Sequence, residues 1–310
     1  MTTSPLLELP GAVEADGVDA GVAAHYGSFH GEQRALESGA GFVDLSHRDV
    51  LRVTGPDRLG WLHSLTTQAF EGLQPGVWTT ALVLSPQGHV EHAFTGVDDG
   101  EACTAHTEPG AGAALVEFLD RMRFMMRVEV SLVDDLAVVG LPGGGFELVD
   151  RAALPAYAEA HGPAAGIWAE EALRIARGEP RLGLDTDHRT IPNEVGWLGS
   201  AVHLDKGCYR GQETVARVHN LGRPPRRLTL LHLDGTENAL PAVGADVLAG
   251  DRVVGRVGSS ARHHELGPIA LALLKRNTPV DAPLVVDGIA AGQEVVVDPE
   301  VGLHVRATLR

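Results

Sequence analysis

The first 222 residues combine two hydrophobic periods, one helical and one typical of strands. Apolar side chains recur every three or four positions over residues 111–122, and residues 168–177 repeat that spacing before Gly178, so both segments predict amphipathic helices. Two short apolar runs, 78–84 and 90–96, flank a Ser-Pro-Gln-Gly sequence, which predicts a β-hairpin. Strand and helix segments that alternate in this way predict an α+β body.

The last 85 residues carry a different pattern, with short β-rich runs and no helical period. These runs lie at 228–233, 252–257, 269–274, 284–286 and 294–297. They follow a stiff Arg-Pro-Pro-Arg-Arg segment at 223–227, and their length and spacing predict a small β-barrel. We therefore predict three regions: a flexible acidic arm (1–24), an α+β body (25–222) and a C-terminal barrel (226–310).

The composition predicts a soluble, cytoplasmic protein. The 310-residue chain is 44% hydrophobic and 21% charged, as is ordinary for globular proteins. No run approaches the roughly 20 apolar residues of a membrane span. The first 20 residues contain no Lys or Arg, unlike a secretory or mitochondrial leader. The net charge of −16 opposes binding of the whole surface to nucleic acid or anionic lipid, so we expect neither a DNA nor a membrane partner.

A metal site is not predicted. The two cysteines, Cys103 and Cys208, are far from any Cys-x-x-Cys spacing. His263 and His264 are adjacent in sequence, and the other close pair, His89/His92, is three residues apart and would point to opposite faces of a strand. We therefore expect neither structural zinc nor a protein-held iron–sulfur cluster.

One short stretch opposes the acidic trend of the chain. Residues 206–227 hold six Lys or Arg and one acid, a charge of +5, which leaves 19 basic and 40 acidic groups, a charge of −21, for the other 288 residues. Gly207 and Gly211 would let backbone donors approach an anion; the alternative is a glycine-punctuated turn with solvated charges. An anionic ligand is the first hypothesis for this basic segment.

Cys208 is the candidate reactive group of the basic segment. It lies between Lys206 and Arg210 in sequence, and an electropositive setting favours the thiolate form of cysteine. The alternative is a small buried residue without chemistry. Nucleophilic catalysis would also require a base, for which His203 and His219 are the nearest histidines in sequence.

The basic segment also carries a family resemblance. Residues 206–213 read Lys-Gly-Cys-Tyr-Arg-Gly-Gln-Glu and, with Val-Ala-Arg at 215–217, resemble the signature of the YgfZ branch of the folate-binding glycine-cleavage T-protein superfamily. Upstream motifs in the order and spacing of that family stand at 173–178, 181–183 and 191–194. The resemblance covers roughly residues 25–300.

The resemblance implies an α+β folate-binding body with a central channel and an appended β-barrel. It further implies binding of tetrahydrofolate and support for iron–sulfur cluster assembly or repair in client enzymes, including enzymes that thiolate tRNA. Cys208 and Lys206 would form the functional loop. The residues expected at the folate are Tyr209, Gly211, Gln212, Glu213, Arg217, Glu194, Trp168 and Glu171. Arginines suit the glutamate tail of a folate, and the candidates are Arg217, Arg223, Arg226 and Arg227.

Three departures from the superfamily bear on the activity. The transferases carry a folate-binding glutamate where this chain has Ala176, and an acidic pair where it has Glu91-His92. Two tryptophans that some YgfZ proteins place near the ligand correspond to Arg48 and Glu170. These departures favour a binding factor. A folate-dependent one-carbon transferase is the alternative, and a tRNA-binding module, using the basic segment on phosphates, is the second alternative.

Overall fold

The computed structural model describes residues 3–237 and 239–303, and the chain divides into two compact units. Unit 1 comprises the described residues up to His63, together with Ala69–Thr80 and Ala93–Leu173. Unit 2 comprises Ser64–Gln68, Ala81–His92 and the described residues from Arg174 onward. The chain therefore passes between the units several times before the barrel begins.

The helices include both that the periodicity predicted. The α-helices are α1 (Phe29–Glu37), α2 (Arg58–Leu65), α3 (Gly112–Arg121), α4 (Leu154–His161), α5 (Ile167–Ala176) and α6 (Gln212–Leu221). The predictions over 111–122 and 168–177 are confirmed as α3 and α5. Within the described ranges, no helix is long and apolar enough to cross a bilayer.

The strands before the barrel form two larger sheets and one small ribbon. They are β1 (Val13–Glu14), β2 (Ala23–His25), β3 (Phe42–Asp44), β4 (Asp49–Thr54), β5 (Trp78–Leu84), β6 (Val90–Asp98), β7 (Ala102–Thr107), β8 (Glu129–Leu132), β9 (Leu136–Leu141), β10 (Gly145–Asp150) and β11 (Ala164–Ala165). The sheet orders are β1-β2, β10-β9-β3-β11 and β5-β6-β7-β4-β8. The hairpin predicted over 78–96 is confirmed as β5 and β6, and the α+β class is confirmed with it.

The N-terminal residues are part of the folded body, so the prediction of a flexible arm over 1–24 is wrong for its described part. Leu6 and Val22 are almost fully buried, and Val22 belongs to the main apolar core of unit 1. Ser4 Oγ donates a hydrogen bond to Asp44 at the end of β3. The acidic residues of the segment led to the prediction of a flexible arm. Its apolar residues instead pack into the body, because the burial of apolar surface is favourable.

The C-terminal region is a closed barrel, as predicted. Its strands are β12 (Arg226–Leu233), β13 (Asp246–Ala249), β14 (Arg252–His263), β15 (Gly267–Lys275), β16 (Leu284–Val286) and β17 (Ile289–Val295). They close in the order β12-β15-β14-β13-β16-β17 around a buried apolar core that includes Leu231, Val247 and Leu274. Closure pairs β12 on both sides, which removes the exposed edges of a sheet.

Candidate functional site

Lys206 anchors the basic segment in unit 2 rather than presenting a cation to solvent. Its side chain is buried, and its Nζ donates hydrogen bonds to Thr66 O (2.6 Å) and Gln68 O (3.2 Å). The ammonium also lies 5.2 Å from the centre of the Tyr209 ring, and burial raises the pKa of Tyr209 to about 12. Because a buried cation needs surrounding polar groups, these contacts fix the start of the segment.

The carbonyls that accept hydrogen bonds from Lys206 belong to a short stretch, 64–68, that further hydrogen bonds hold in place. Thr67 Oγ1 donates to Ala201 O at 2.7 Å, and Thr67 N donates to Leu82 O at 3.0 Å in β5. Gln68 Nε2 donates to Ser200 O at 3.1 Å. The short stretch 64–68 is thus bonded both to the chain just before Lys206 and to a strand.

Two glycines bring the basic segment against the turn of the β5–β6 hairpin. Gly211, which precedes α6, has a φ of +81°, and a Cβ at this position would lie 2.4 Å from Ser85 O. Gly88 has a φ of +83°, and its Cβ would lie 2.7 Å from Thr214 Cβ. Only glycine fits both the backbone conformation and the space at these two positions, so they bring the two stretches of chain into close contact. That Gly207 and Gly211 let backbone donors approach an anion stays a prediction, and a Cβ at Gly207 would meet no heavy atom within 4 Å.

This contact joins Glu91 to an arginine of the basic segment. Arg210 Nη1 donates to Glu91 Oε2 at 3.0 Å, and both side chains are more than one third exposed. By the family resemblance, Glu91 corresponds to one residue of the acidic pair of the superfamily's transferases. Its carboxylate is therefore engaged by a cation of the same chain.

Cys208 is an accessible thiol, and the alternative of a small buried residue is wrong for it. Cys208 is exposed, whereas Cys103 is buried. Burial, with a smaller contribution from Asp98, raises the pKa of Cys103 to about 12, so Cys103 is inert near neutral pH. The flanking cations Lys206 and Arg210 bond to carbonyls and to Glu91, as described above. The reactive role of Cys208 stays a prediction.

The next three predicted folate residues lie on a helix rather than in a loop. Gln212 and Glu213 form the first turn of α6, and Arg217 lies further along it. Glu213 and Arg217 are exposed, while Gln212 is half-buried. Val215 is the buried residue of α6, and its carbonyl accepts a hydrogen bond from Asn193 Nδ2 at 3.3 Å.

Glu194 and Arg226, both of which the sequence assigned to a folate site, bind each other. Glu194 is almost fully buried, and its two carboxylate oxygens accept from Arg226 Nε and Nη2, both at 2.8 Å. Asp187 forms a second bidentate contact with the same guanidinium, at 2.6 and 3.1 Å. Burial alone would raise the pKa of Asp187, but hydrogen bonds from Arg226 and from Arg189 N hold it well below its usual 3.8. Both acids thus serve an internal network.

Arg227 is not available to a folate tail, which corrects the sequence assignment. Its side chain is fully buried at the barrel, where it donates to Thr229 Oγ1, Thr278 O and Gln293 Oε1. Burial also lowers the pKa of its guanidinium. Arg223 faces solvent, and its Nε lies 3.3 Å from Glu300 Oε2. Of the four candidate arginines, Arg217 is therefore the exposed one for which no ion pair is found within the described residues.

Trp168 and Glu171 belong to α5 and lie in unit 1. Trp168 is about half exposed, with its ring centre 5.2 Å from that of His25 and 6.2 Å from that of Phe29. Glu171 is half-buried on the same helix. Unit 2 thus gathers Lys206, Tyr209, Gly211 and Glu91, while Trp168 and Glu171 form part of a different unit.

Unit 1 contains a cluster of aromatic and cationic side chains that the sequence did not single out as a site. Arg48 lies over the Phe146 ring, with its Cζ 5.7 Å from the ring centre. His106 lies 4.5 Å from Phe146 and 5.9 Å from Trp78, centre to centre. The strands β5, β7 and β10 supply these rings, and we call Arg48, Trp78, His106 and Phe146 the Arg48 cluster. Arg48, Trp78 and Phe146 are half-buried, so the cluster is partly accessible.

Several buried polar atoms of unit 1, two of them in the Arg48 cluster, lack hydrogen-bond partners within the described residues. They include His106 Nε2, Arg48 Nε, Ser46 Oγ and Arg151 Nη1. Burial, followed by the nearby Arg48, lowers the pKa of His106 well below 6.5, so its imidazole is neutral near pH 7. Among the described residues, Arg151 donates only to backbone carbonyls, those of Asp134, Ser46 and Leu136. Buried donors are normally satisfied, so this concentration indicates a place for a polar ligand or ordered water.

The sequence offered one signal for the Arg48 cluster. By the family resemblance, Arg48 corresponds to a tryptophan that some YgfZ proteins place near the ligand, and the change of residue type suggested that a ligand contact was lost there. His106 and Phe146 gave no signal, because a histidine in a buried strand and a phenylalanine in a short strand are ordinary core residues.

Comparisons with known proteins agree with this architecture. The family model of the CAF17 C-terminal β-barrel domain matches residues 226–300. A putative chloroplastic transferase of Arabidopsis thaliana is 24% identical over 75% of the chain, and the match spans 65% of that relative. The tRNA-modifying protein YgfZ of Colwellia psychrerythraea is 30% identical over 33% of the chain and 27% of its own length.

The fold is that of the aminomethyltransferases. The crystal structure of glycine cleavage system aminomethyltransferase T from Bartonella henselae superposes with a TM-score of 0.80, covering 96% of each chain at 17% sequence identity. At this identity the likeness shows the fold alone. It confirms the α+β body with an appended barrel.

Proposed function

We propose that this chain, a YgfZ-type member of the aminomethyltransferase-like superfamily, binds tetrahydrofolate and supports iron–sulfur clusters in client enzymes, including enzymes that thiolate tRNA. The Arg48 cluster is the observation that carries the folate part of the proposal. The exposed thiol of Cys208, in a segment built on Lys206, supports the second part. The site acts in the cytoplasm as a binding factor.

The Arg48 cluster has the chemistry that a folate requires. A folate combines a flat ring that donates and accepts hydrogen bonds with a carboxylate-bearing tail. The faces of Trp78 and Phe146 suit the ring, and the buried Nε2 of neutral His106 offers one hydrogen-bonding position. Arg48, which forms no ion pair within the described residues, suits the oxygens of an anionic ligand.

The residues at the hairpin favour binding over turnover. When bound, a reduced folate supplies a carrier for one-carbon units. A transferase needs a carboxylate available at the reacting nitrogen, and Glu91 is instead bonded to Arg210. Ala176 removes the second carboxylate of the transferases. One-carbon transfer remains the second candidate because the fold is that of the aminomethyltransferases.

A titration tests the folate proposal. Calorimetry with tetrahydrofolate should show saturable binding tighter than about 1 mM, and Arg48→Ala should weaken it at least ~10-fold, because an arginine–anion hydrogen bond is lost. Arg34→Ala is the matched control, since Arg34 is exposed on α1 in the same unit. Absence of saturable binding to the wild-type chain rejects both folate candidates. Recovery of a chemically altered folate after incubation would favour the transferase.

Cys208→Ala tests the thiol. The variant should fold and bind tetrahydrofolate as the wild-type chain does, because Cys208 is exposed and is not one of the residues of the Arg48 cluster. It should lose support of iron–sulfur enzyme activity in a deletion strain. Cys103→Ser, which changes the buried thiol, is assayed as a control, and the cellular level of each variant protein is measured. Full activity of Cys208→Ala would refute a role for the thiol.

A further inference from the structure

The contact between Arg48 and His106 fixes which nitrogen of the imidazole carries hydrogen. Arg48 Nη1 lies 3.4 Å from His106 Nδ1. A guanidinium only donates hydrogen bonds, so His106 Nδ1 is the acceptor and carries no proton. Burial and the nearby Arg48 lower the pKa of His106, which leaves its ring with a single proton near pH 7. That proton is therefore on Nε2, and Nε2 is a donor.

The strands on either side of β7 leave this Nε2 without an acceptor. Thr95 of β6 lies directly opposite His106, but its hydroxyl is hydrogen-bonded to Thr80 Oγ1 at 2.9 Å. Val50 of β4 lies opposite His106 on the other side and is apolar. His106 Nε2 is consequently buried without a hydrogen-bond partner among the described residues. An unpaired buried donor costs free energy, which an acceptor atom of a ligand would recover on binding.

The side chains of the Arg48 cluster offer a ligand hydrogen-bond donors alone. Arg48 Nε carries hydrogen and is also buried without a partner in the part of the chain that the structure describes. The indole nitrogen of Trp78 can only donate, and Phe146 has no polar side-chain atom. The one acceptor nitrogen of the four side chains, His106 Nδ1, is occupied by Arg48. A ligand group that bonds to these side chains must therefore present acceptors, as the oxygen of a carbonyl group does.

The aromatic rings of the cluster suit the flat ring of a folate better than its tail. The ring centre of Phe146 lies 4.5 Å from that of His106 and 5.8 Å from that of Trp78. Trp78 and Phe146 are half-buried, so part of each ring is open to a ligand. A pteridine ring gains from stacking on aromatic faces, whereas a flexible carboxylate tail gains little from them. The acceptor that meets the donors is therefore expected on the ring.

We propose that the Arg48 cluster binds the 4-oxo edge of the pteridine ring, with His106 Nε2 donating to the ring oxygen, and that it excludes pteridines with a 4-amino group. This inference rests on the proposed function, in which tetrahydrofolate supplies the ring. A 4-amino group places hydrogens where the oxo group has lone pairs, so N–H groups of ligand and protein would face one another. A site built to hydrogen-bond one ligand group discriminates strongly against an analogue that leaves its buried polar groups unpaired.

Nitrogen NMR of the full chain with isotope-labelled histidine tests the tautomer without any ligand. Near pH 7, His106 should show a protonated Nε2 and an unprotonated Nδ1, and its signals are assigned by their loss in His106→Gln. Arg48→Ala removes the donor to Nδ1, so the tautomer with hydrogen on Nδ1 should then become populated. A hydrogen on Nδ1 of His106 in the wild-type chain would overturn the proposal.

Calorimetry with a matched pair of ligands tests the recognition. The wild-type chain should bind tetrahydrofolate at least ~10-fold more tightly than the analogue that differs only in its 4-amino group. His106→Phe removes the donor and should abolish most of this preference. Its melting temperature should stay close to the wild-type value, because an apolar ring replaces a buried unpaired donor. His106→Gln should keep the preference, since its amide can accept from Arg48 and donate to the ligand.

A control variant and three outcomes separate this inference from the proposed function. His30→Phe makes the same substitution at an exposed residue of α1 in unit 1 and should leave both affinities unchanged. Equal, saturable binding of the two ligands to the wild-type chain would overturn the oxo recognition and leave folate binding standing. A preference retained in His106→Phe would overturn the role of His106. Absence of saturable binding of either ligand would reject the proposed function, and this inference with it.

Discussion

At the scale of single residues, the arginines divide by what surrounds them. Arg226 is bonded to two carboxylates, Arg227 to neutral oxygens inside the barrel, and Arg48 to an aromatic face with its Nε unpartnered among the described residues. The positions of these three arginines in the sequence did not show which of them is neutralised by its own chain. An arginine already neutralised by its own chain is a structural group, whereas one without a carboxylate partner is suited to an anionic ligand.

The Arg226 network predicts a large loss of stability on truncation. Arg226→Ala leaves Glu194 buried without its cation, and breaking a buried pair of this kind costs about 3 kcal/mol of unfolding free energy. Urea denaturation measures it. Arg256→Ala, which removes an exposed pair with Asp246, should change the unfolding free energy little. Equal effects of the two substitutions would contradict the network.

The same network gives the stability of the wild-type chain a defined pH dependence. The folded state holds the pKa of Asp187 below 3.8, so its contribution is present above the unfolded pKa and is lost as the pH falls toward the lowered value. The Arg226→Ala variant lacks the cation that lowers this pKa. Its stability should therefore fall less steeply than that of the wild-type chain below about pH 4.

At the scale of elements, the basic segment, the hairpin and α6 form one assembly in unit 2. Gly211 and Gly88 bring the segment against the hairpin turn, and Lys206 bonds it to the 64–68 stretch. The helix α6 begins directly after Gly211. This assembly fixes where the thiol of Cys208 is presented, although Cys208 itself is exposed.

Gly211→Ala tests that assembly. A methyl group would lie 2.4 Å from Ser85 O on a backbone with positive φ, so we expect a loss of about 2–4 kcal/mol and displacement of the segment. Gly207→Ala is the matched control, because a Cβ there meets no heavy atom within 4 Å. Urea denaturation and the rate of Cys208 alkylation report the two effects. Equal stability of both variants would contradict the close contact.

At the scale of the whole molecule, fewer cations of the basic segment can reach a ligand than its six Lys and Arg residues suggest. Of its six cations, Lys206 and Arg227 are buried, and Arg210, Arg223 and Arg226 lie next to carboxylates. Nucleic-acid affinity depends on cations that can reach phosphates. The structure therefore weakens the hypothesis of a tRNA-binding module, on a chain whose net charge is already −16.

The sequence by itself determined several of the elements and the class of the fold. Helix α3, helix α5, the β5–β6 hairpin and the barrel follow from local periodicity and turn residues, which neighbouring positions encode. The motif at 206–213 indicated the superfamily. The position of the N-terminal residues was missed, because Leu6 and Val22 are buried by partners distant in sequence.

Only the tertiary structure decided which charged groups are neutralised and which can serve a ligand. Glu194 and Arg226 are 32 positions apart and bind each other, while Arg48 meets His106 and Phe146 from strands far along the chain. A sequence lists such groups without the distances that set their hydrogen bonds and desolvation. For that reason the sequence pointed to a folate-binding fold, and the packing of unit 1 pointed to the Arg48 cluster.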